Sequence, residues 1–266
     1  MEGFLSWTRV ILSLVFLGYA SWSDFKTREV SNNVWIVFAP AAFLLTFTQF
    51  LFFPPMVDTF QSMISYGISF AVTSVFSIVL FYVGAFGGAD AKALMCIALA
   101  FPLPLGFFEP LSRFVSPIFP ITVFSNGVVL AAFTAFYAVL RNLSWKQRTG
   151  QKLFEGHENE RFVRKALALL CGYKVTLSNL KDSFLFPLED FQTTPQGETM
   201  NHLLLFPKDE DREEIVERLV TAEREGKLQN LVWATPGLPM LIFITLGLVM
   251  AFAVGDLVWI VISQAF

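Results

Sequence analysis

Two aspartates at the ends of long apolar segments are the residues best placed to do chemistry. Asp24 follows one such segment, in SWSDFKTREVSN, and Asp90 precedes another, in GAFGGADAK. Ionisable groups at the ends of apolar segments are costly to bury and usually face the protein interior or a water-filled cavity. Because Gly84, Gly87 and Gly88 carry no Cβ, a backbone can approach Asp90 closely, and unusual φ angles cost little there. We therefore predict that the two aspartates act together.

Two carboxylates at close range can hydrolyse a peptide bond, as they do in aspartic proteases. They cannot both ionise comfortably, so one keeps a proton and polarises the peptide carbonyl, while the charged one takes a proton from the attacking water. This chemistry needs no metal and no organic cofactor, and we predict neither. Simpler roles stay open at this point: Asp90 could cap a helix, and Asp24 could be an interfacial residue neutralised by Lys26 or Arg28.

The other residue types that commonly carry chemistry show no productive spacing. His157 and His202 have no metal-ligand pattern around them, and Cys96 and Cys171 belong to no CxxC motif. No nucleophilic-serine, phosphate-binding or zinc-protease motif occurs in the chain. The two aspartates therefore remain the one candidate catalytic pair in the sequence.

Composition identifies the elements that must hold the aspartates as membrane-spanning helices. Of the 266 residues, 55% are hydrophobic and 15% charged, with a net charge of −3, whereas soluble domains carry roughly 25% charged residues. These values exclude a disordered chain, a disulfide scaffold and a basic nucleic-acid binder. Four uncharged runs of 27 to 31 residues exceed the roughly 20 residues that a membrane helix needs. Six spans are predicted, roughly 4–23, 34–53, 62–83, 91–108, 119–140 and 238–262.

The charged residues cluster between the fifth and sixth spans. Residues 141–227 hold 14 of the 19 Lys and Arg and 15 of the 22 Asp and Glu. We predict an α-helical integral membrane protein with a membrane domain over 1–140, a small cytoplasmic α+β domain over 141–232 and the sixth span within 233–266. The expected elements of the α+β domain are helices around Arg161–Cys171 and from about Glu210 to Arg224, the latter capped by Asp209, and strands at Lys174–Leu177, Phe184–Leu188 and His202–Phe206.

The distribution of Lys and Arg predicts the orientation in the membrane. Seventeen of the 19 basic residues fall on one side of the predicted spans, and Arg9 and Arg113 fall on the other. Because the basic side faces the cytoplasm, we expect a multi-pass protein of the cell membrane with its N-terminus outside. The aqueous domain, Asp24 and Asp90 then lie on the cytoplasmic side. A cleavable signal peptide over residues 1–20 is the alternative, although its basic region is thin.

The segments around both aspartates resemble a known protease family. Residues 87–92, GGADAK, resemble the GxGD motif of intramembrane aspartyl proteases, with Ala89 in place of the second glycine. Residues 24–32, DFKTREVSN, resemble the segment after the first catalytic aspartate of type IV prepilin peptidases. Together with TPGLP at 235–239, these motifs are most similar to archaeal preflagellin (prearchaellin) peptidases. Presenilin-type proteases are less similar, because Ser23 stands where they have tyrosine.

The resemblance implies a class III signal peptidase. Such an enzyme removes the short basic leader from archaellin or type IV pilin-like precursors at the cytoplasmic face of the lipid bilayer, with Asp24 and Asp90 as the catalytic pair. These precursors are the implied partners, nucleic acid is not, and the oligomeric state is left open. The missing CxxC motifs imply cleavage without N-methylation. The resemblance also implies substrate-binding roles for Gly87, Gly88, Ala89 and Lys92, and the proline-rich approach suggests roles at the substrate entrance for Pro236, Gly237 and Pro239.

A different class of function is compatible with two aspartates at membrane boundaries. In a cation- or proton-coupled membrane transporter subunit, Asp24 and Asp90 would bind the ion. Such a protein needs polar residues through its spans, whereas the middles of these spans are Phe, Leu, Val and Ile with scattered Ser and Thr. A structural assembly subunit is a third possibility, and it would tolerate loss of either aspartate.

Overall fold

The computed structural model describes residues 2–265 apart from 57, 107, 113, 159, 183, 194–198 and 205–211. Arg113, Asp209 and the end of the expected strand His202–Phe206 therefore lie outside the described residues. The chain divides into two compact units, one formed by Met1–Ala131 and Pro239–Phe266 and the other by Ala132–Leu238.

The first unit is helical. Its elements are α1 (Glu2–Thr27), α2 (Asn32–Phe52), α3 (Thr59–Tyr82), α4 (Gly88–Ala100), the first part of α5 (Phe119–Thr149), α9 (Met240–Ala253) and α10 (Leu257–Ala265). Within the described residues, α1, α2, α3 and α5 are each long and apolar enough to cross a membrane, and α9 with α10 forms a pair bent by 60°. The membrane class is thus confirmed, whereas six continuous spans are not.

The fourth predicted span is helical over only part of its length. Helix α4 ends at Ala100, eight residues before the expected end, and its 13 residues extend about 20 Å, against an apolar bilayer core of about 30 Å. The physical reason is the sequence FPLP that follows. Pro102 and Pro104 offer no backbone N–H, and each proline also disfavours helical backbone at the residue before it.

The sixth predicted span is broken near its end. Helix α9 stops at Ala253, and Gly255 adopts a φ of +92°, a left-handed conformation that glycine adopts without strain. Asp256 then begins α10, because its Oδ1 accepts a hydrogen bond from the backbone N–H of Trp259 at 3.1 Å. The span predicted over 238–262 is therefore not one continuous helix, because it is broken at Gly255 and Asp256.

The buried end of α4 is satisfied by side chains of α1 and α2. The carbonyl oxygen of Ala100 accepts hydrogen bonds from Arg9 Nε at 2.8 Å, from Arg9 Nη2 at 2.6 Å and from Thr46 Oγ1 at 3.1 Å. Arg9 Nη1 donates to Gln49 Oε1 at 2.7 Å, and Gln49 donates to Ser6 Oγ at 2.8 Å. Polar backbone inside an apolar region requires such partners, so this network permits α4 to end there.

Within the described residues, the second unit contains the second part of α5, two small sheets and three further helices. Its helices are α6 (Phe162–Cys171), α7 (Leu177–Asp182) and α8 (Arg212–Arg224), and its strands are β1 (Tyr173–Thr176), β2 (Leu185–Pro187), β3 (Glu189–Thr193), β4 (Thr199–Leu203) and β5 (Leu231–Pro236). Strands β1, β5 and β2 form an antiparallel sheet with β5 in the centre, and β3 pairs with β4. Helix α8 buries Ile215, Val216 and Leu219, the helical spacing that the sequence indicated.

Several elements of this unit differ from expectation. The helices expected at Arg161–Cys171 and up to Arg224 are confirmed as α6 and α8. Strand β3 was not expected, because its acidic residues Glu189 and Asp190 are atypical of a buried strand. Strand β5 was not expected either, because its apolar residues run without a charge into the last predicted span. Both strands are nevertheless buried in part, and Trp233 on β5 is fully buried.

Helices α5 and α9 approach each other closely at Gly127 and Gly247. A Cβ on Gly247 would collide with the backbone oxygen of Val123 and lie 2.8 Å from the backbone nitrogen of Gly127. Small residues permit such backbone approach between membrane helices. We predict that Gly247→Ala destabilises the protein by about 1–3 kcal/mol, measured as a lower thermal unfolding midpoint in detergent.

Gly18→Ala is the matched control for this prediction. Gly18 lies in α1, and a Cβ there would meet nothing within 4 Å. Alanine favours a helix over glycine by up to about 1 kcal/mol, so this variant should unfold at the same temperature as wild type or slightly above it. Equal unfolding midpoints for Gly247→Ala and wild type would contradict the close contact between α5 and α9.

Candidate active site

Asp90 lies in the first turn of α4 and is bound to the backbone there. Its Oδ2 accepts a hydrogen bond from the N–H of Gly87, the residue that caps the helix, at 3.0 Å. In the described part of the chain this is the one hydrogen bond to the Asp90 carboxylate. The side chain is only 9% exposed. The capping role that the sequence left open is therefore present, and it also holds the carboxylate at the positive end of the helix dipole.

Asp24 lies near the C-terminal end of α1, where the dipole of its own helix disfavours negative charge. Two features compensate for this position. The backbone N–H of Leu241, in the first turn of α9, attracts the carboxylate, and so does the positive charge of Arg28. The first N–H groups of a helix lack intrahelical acceptors, so the start of α9 is a favourable place for an anion. Asp24 is half-buried, less deeply than Asp90.

Arg28 terminates α1 in an unusual backbone conformation. Its φ is +59°, which costs a residue other than glycine about 1–2 kcal/mol. Its backbone N–H donates to the carbonyl oxygen of Asp24 at 3.0 Å, the pattern of a left-handed helix cap. Arg28 therefore ends the helix that carries Asp24 and also places a positive charge near the Asp24 carboxylate. Neutralisation of Asp24 by Arg28, the second simple role left open, is partly realised.

The structure brings the two aspartates into one electrostatic neighbourhood. The charge of Asp24 acts on the carboxylate of Asp90, although 65 residues separate them in the sequence. Helix α1 packs against α4, and both helices pack against α9. Three helices thus meet around the pair, with the N-terminal ends of α4 and α9 directed toward it. A helix cap for Asp90 and a nearby positive charge for Asp24 explain each aspartate separately, but they do not require this convergence.

The glycines of the loop before Asp90 differ in backbone conformation and in the space around them. Gly84 has a φ of +79°, so it needs the freedom of glycine, whereas Gly87 is extended with a φ of −71°. A Cβ on Gly87 would lie 3.2 Å from Asp90 Oδ2, and one on Gly88 would lie 3.7 Å from Phe81. The expected ease of unusual φ angles therefore applies at Gly84, while Gly87 leaves room for the Asp90 carboxylate.

The remaining predicted residues occupy varied positions. Lys92 is exposed, and its Nζ donates to Asn32 Oδ1 at 2.6 Å, which ties α4 to the start of α2. Ala89 is partly buried against the core. Pro239 precedes α9, two residues before Leu241, so it lies in the same unit as the aspartates. Their roles in binding substrate stay predictions.

Pro236 and Gly237 belong to the second unit. Pro236 ends β5 opposite Leu185. The N–H of Gly237 donates to the carbonyl oxygen of Phe184 at 3.2 Å, and a Cβ on Gly237 would lie 2.8 Å from the ring of Phe186. Gly237 is therefore required by packing within that unit. A role of these two residues at a substrate entrance stays a prediction.

Arg9 is the polar residue that sequence reasoning undervalued. It served only to indicate the orientation of the chain, whereas the structure buries it to 1% exposure at the end of α4. A charge within an apolar run is itself a signal of a specific partner.

Among the described residues, no three His, Cys, Asp or Glu side chains are grouped as a metal ion would require.

We predict that Gly87→Ala impairs the site more than Gly88→Ala. The new Cβ at position 87 would press on Asp90 Oδ2, whereas the one at position 88 would make an ordinary contact with Phe81. Displacement of a reacting group by a fraction of an ångström lowers rates, so we expect roughly a tenfold loss for Gly87→Ala. Peptidase assays on membranes with equal amounts of each variant provide the measurement. Equal losses would show that the loop needs both glycines for another reason.

The fold defines a polytopic membrane protein with a small α+β unit, and comparison with known families agrees with it. Residues 11–139 match a family model described as the type IV leader peptidase family, and residues 164–257 match one described as archaeal peptidase A24 C-terminus type II. The two models together span both units. The chain is therefore similar to the type IV leader peptidase family over its first part and to archaeal A24 peptidases over its second part.

The chain is also similar, over nearly its whole length, to proteins named preflagellin peptidase. It is 28% identical over 255 residues to that of Methanococcus voltae, covering 92% of this chain and 94% of the relative. It is 26% identical to that of Methanococcus maripaludis, with the same coverage, and 22% identical to that of Methanocaldococcus jannaschii over 92% of this chain. The resemblance recognised from the motifs is thereby confirmed.

Proposed function

We propose that this protein is a membrane aspartyl endopeptidase that removes the short basic leader from archaellin or type IV pilin-like precursors. The observation that carries the proposal is the convergence of Asp24 and Asp90, from separate helices, at the starts of α4 and α9. Similarity to a peptidase family over residues 11–139 and to preflagellin peptidases over most of the chain supports the reaction class. The cut is made on the cytoplasmic face, to which 17 of the 19 basic residues are assigned.

The surroundings of the two carboxylates suggest different roles. Asp24 is half-buried beside Arg28 and the N–H of Leu241, so we assign it the charged role, in which it takes a proton from the attacking water. Asp90 is more deeply buried and one of its oxygens is held by Gly87. We assign it the protonated role, in which it donates a hydrogen bond to the peptide carbonyl. After water has added to the carbonyl carbon and the carbonyl oxygen has taken the proton of Asp90, Asp24 passes the proton that it took from water to the leaving nitrogen. The C–N bond then breaks and Asp90 recovers a proton from a hydroxyl of the tetrahedral intermediate, so the pair returns to its starting state.

The interior of the membrane unit argues against the transporter alternative. Between the aspartate pair and the buried Arg9, most of the buried side chains of α1 and α4 are apolar, among them Leu17, Leu94 and Ile97. On α1 the buried polar exceptions are the short hydroxyl side chains of Ser13 and Ser21. An ion path between the two ends would need polar groups or water at this level. A hydrolytic site that opens at one end needs no such path.

The first test is cleavage of a pilin-like precursor with a basic leader by membranes that contain the protein. We expect wild type to shorten the precursor, and Asp24→Asn and Asp90→Asn each to lower the rate at least a hundredfold, because either change removes one half of the proton exchange. Immunoblotting of the precursor measures the product. An asparagine keeps the size of each side chain and one acceptor oxygen, which can still accept the N–H of Gly87 at position 90, so the fold should persist.

Asp58→Asn is the matched control. Asp58 caps α3 by accepting a hydrogen bond from the N–H of Gln61 at 2.6 Å, and asparagine caps helices equally well. Cleavage at the wild-type rate is expected. Near-normal cleavage by Asp24→Asn or Asp90→Asn would assign that residue a capping or interfacial role. If wild type cleaves no leader-bearing precursor, ion flux in liposomes becomes the decisive measurement for the transporter alternative.

The proposal also predicts an unmodified product. The sequence has only Cys96 and Cys171, without the paired CxxC motifs that accompany methylation in similar bacterial enzymes. Mass spectrometry of the mature product, formed with S-adenosylmethionine present, should show a free, unmethylated N-terminus. A methylated product that requires this protein would contradict the proposal on that point.

A further inference from the structure

The proposed mechanism makes no use of Arg9, the one buried arginine among the described residues of the membrane unit. Arg9 is 1% exposed and donates two hydrogen bonds to the last carbonyl of α4, at Ala100. Its third bond goes to the neutral side chain of Gln49. Among the described residues Arg9 forms no ion pair with a carboxylate. Its guanidinium also stands 5.4 Å from the centre of the Phe101 ring. The buried charge of Arg9 therefore interacts mainly with the C-terminal end of the short helix α4.

The electrostatics of α4 explain why a cation suits this place. The last carbonyls of a helix lack intrahelical donors and carry the negative end of the dipole. Arg9 meets that end, and Asp90 meets the positive end of the same helix. Helix α4 thus has a complementary charge at each terminus. Removing the charge of Arg9 therefore weakens the interactions that hold α4 in place along its axis. Asp90 lies at the other end of the same helix.

Helix α1 contacts both ends of α4. Arg9 binds its C-terminal end, and Asp24 interacts electrostatically with Asp90 at its N-terminal end. Asp24 lies fifteen positions after Arg9 on α1, about 22 Å at 1.5 Å per residue, and Asp90 and Ala100 are about 15 Å apart along α4. Because a helix moves as a stiff rod along its axis, a shift at Ala100 is passed on to Asp90.

We propose that Arg9 is a positioning residue, which holds α4 along its axis and thereby sets the separation of Asp90 from Asp24. The proposal rests on the proposed function for its kinetic consequences, whereas its geometric consequence does not depend on proteolysis. Arg9 lies too far along α1 from the aspartates to touch the reacting groups. We therefore expect Arg9 to affect the rate of the chemical step and not the binding of substrate.

The kinetic test is a series of substitutions around the Ala100 carbonyl. Arg9→Met removes two of the three hydrogen bonds that the Ala100 carbonyl accepts. We expect kcat to fall roughly tenfold to a hundredfold, which is the effect of a displacement near 1 Å. KM should change less than about twofold. Arg9→Lys retains a donor and a positive charge and should restore part of kcat. Thr46→Val removes the third bond and should lower kcat by a few-fold.

Two controls separate positioning from general stability. Ser13→Ala changes a fully buried side chain one turn further along α1, whose hydroxyl has no hydrogen-bond partner among the described residues, and kcat should stay at the wild-type value. Gly247→Ala lowers stability through the contact between α5 and α9. If Gly247→Ala lowers kcat as much as Arg9→Met at equal loss of unfolding temperature, Arg9 is merely structural and the proposal is overturned.

The geometric test requires no cleavage. Asp24→Cys and Asp90→Cys are combined in full-length protein that carries Cys171→Ser, and the rate of disulfide formation with an added oxidant is measured. The Asp24→Cys single variant controls for reaction with the buried Cys96. Addition of Arg9→Met should slow the cross-link several-fold, and Arg9→Lys should slow it less. An unchanged cross-linking rate in Arg9→Met overturns the proposal, even if wild type cleaves no precursor.

Discussion

A helix that ends inside an apolar unit must have its free backbone groups satisfied by protein, and the arrangement of this membrane unit depends on that condition at α4. The Ala100 carbonyl accepts three hydrogen bonds from Arg9 and Thr46. At the other terminus, Asp90 accepts the N–H of Gly87. Unsatisfied backbone in a lipid-like environment costs several kcal/mol per group. Without these partners, α4 would have neither its short length nor a fixed position.

The same condition explains how two carboxylates can share one region. Asp90 uses the N-terminus of its own helix, and Asp24 is drawn to the N-terminus of α9 by the N–H of Leu241. Arg28 adds a positive charge near Asp24. Each carboxylate is therefore stabilised in its charged form by different groups. The repulsion between the two charges favours a state in which they share one proton. That is the electrostatic arrangement on which the proposed endopeptidase chemistry depends.

Much of the architecture was predictable because membrane spans leave a simple pattern in sequence. The helices α2, α3 and α5 follow from long uncharged runs, α1 follows from an apolar run that is broken only by Arg9, and α6 and α8 follow from helical spacing. The early end of α4 and the break between α9 and α10 were missed, since hydropathy registers apolar content and not backbone direction. Pro102 and Gly255 were the available signals. Strand β5 was missed because its burial depends on pairing with β1 and β2, which lie 44 or more residues earlier.

The sequence by itself determined the membrane class, the family and the two aspartates as candidates, because apolar run length and short motifs are local properties of the chain. It could not decide that the charge of Asp24 acts on Asp90 or that the N–H of Leu241 attracts Asp24. Nor could it decide that Arg9 reaches Ala100, 91 residues away. These contacts depend on how helices pack in three dimensions, and packing is a property of many residues at once. Tertiary structure alone decided them.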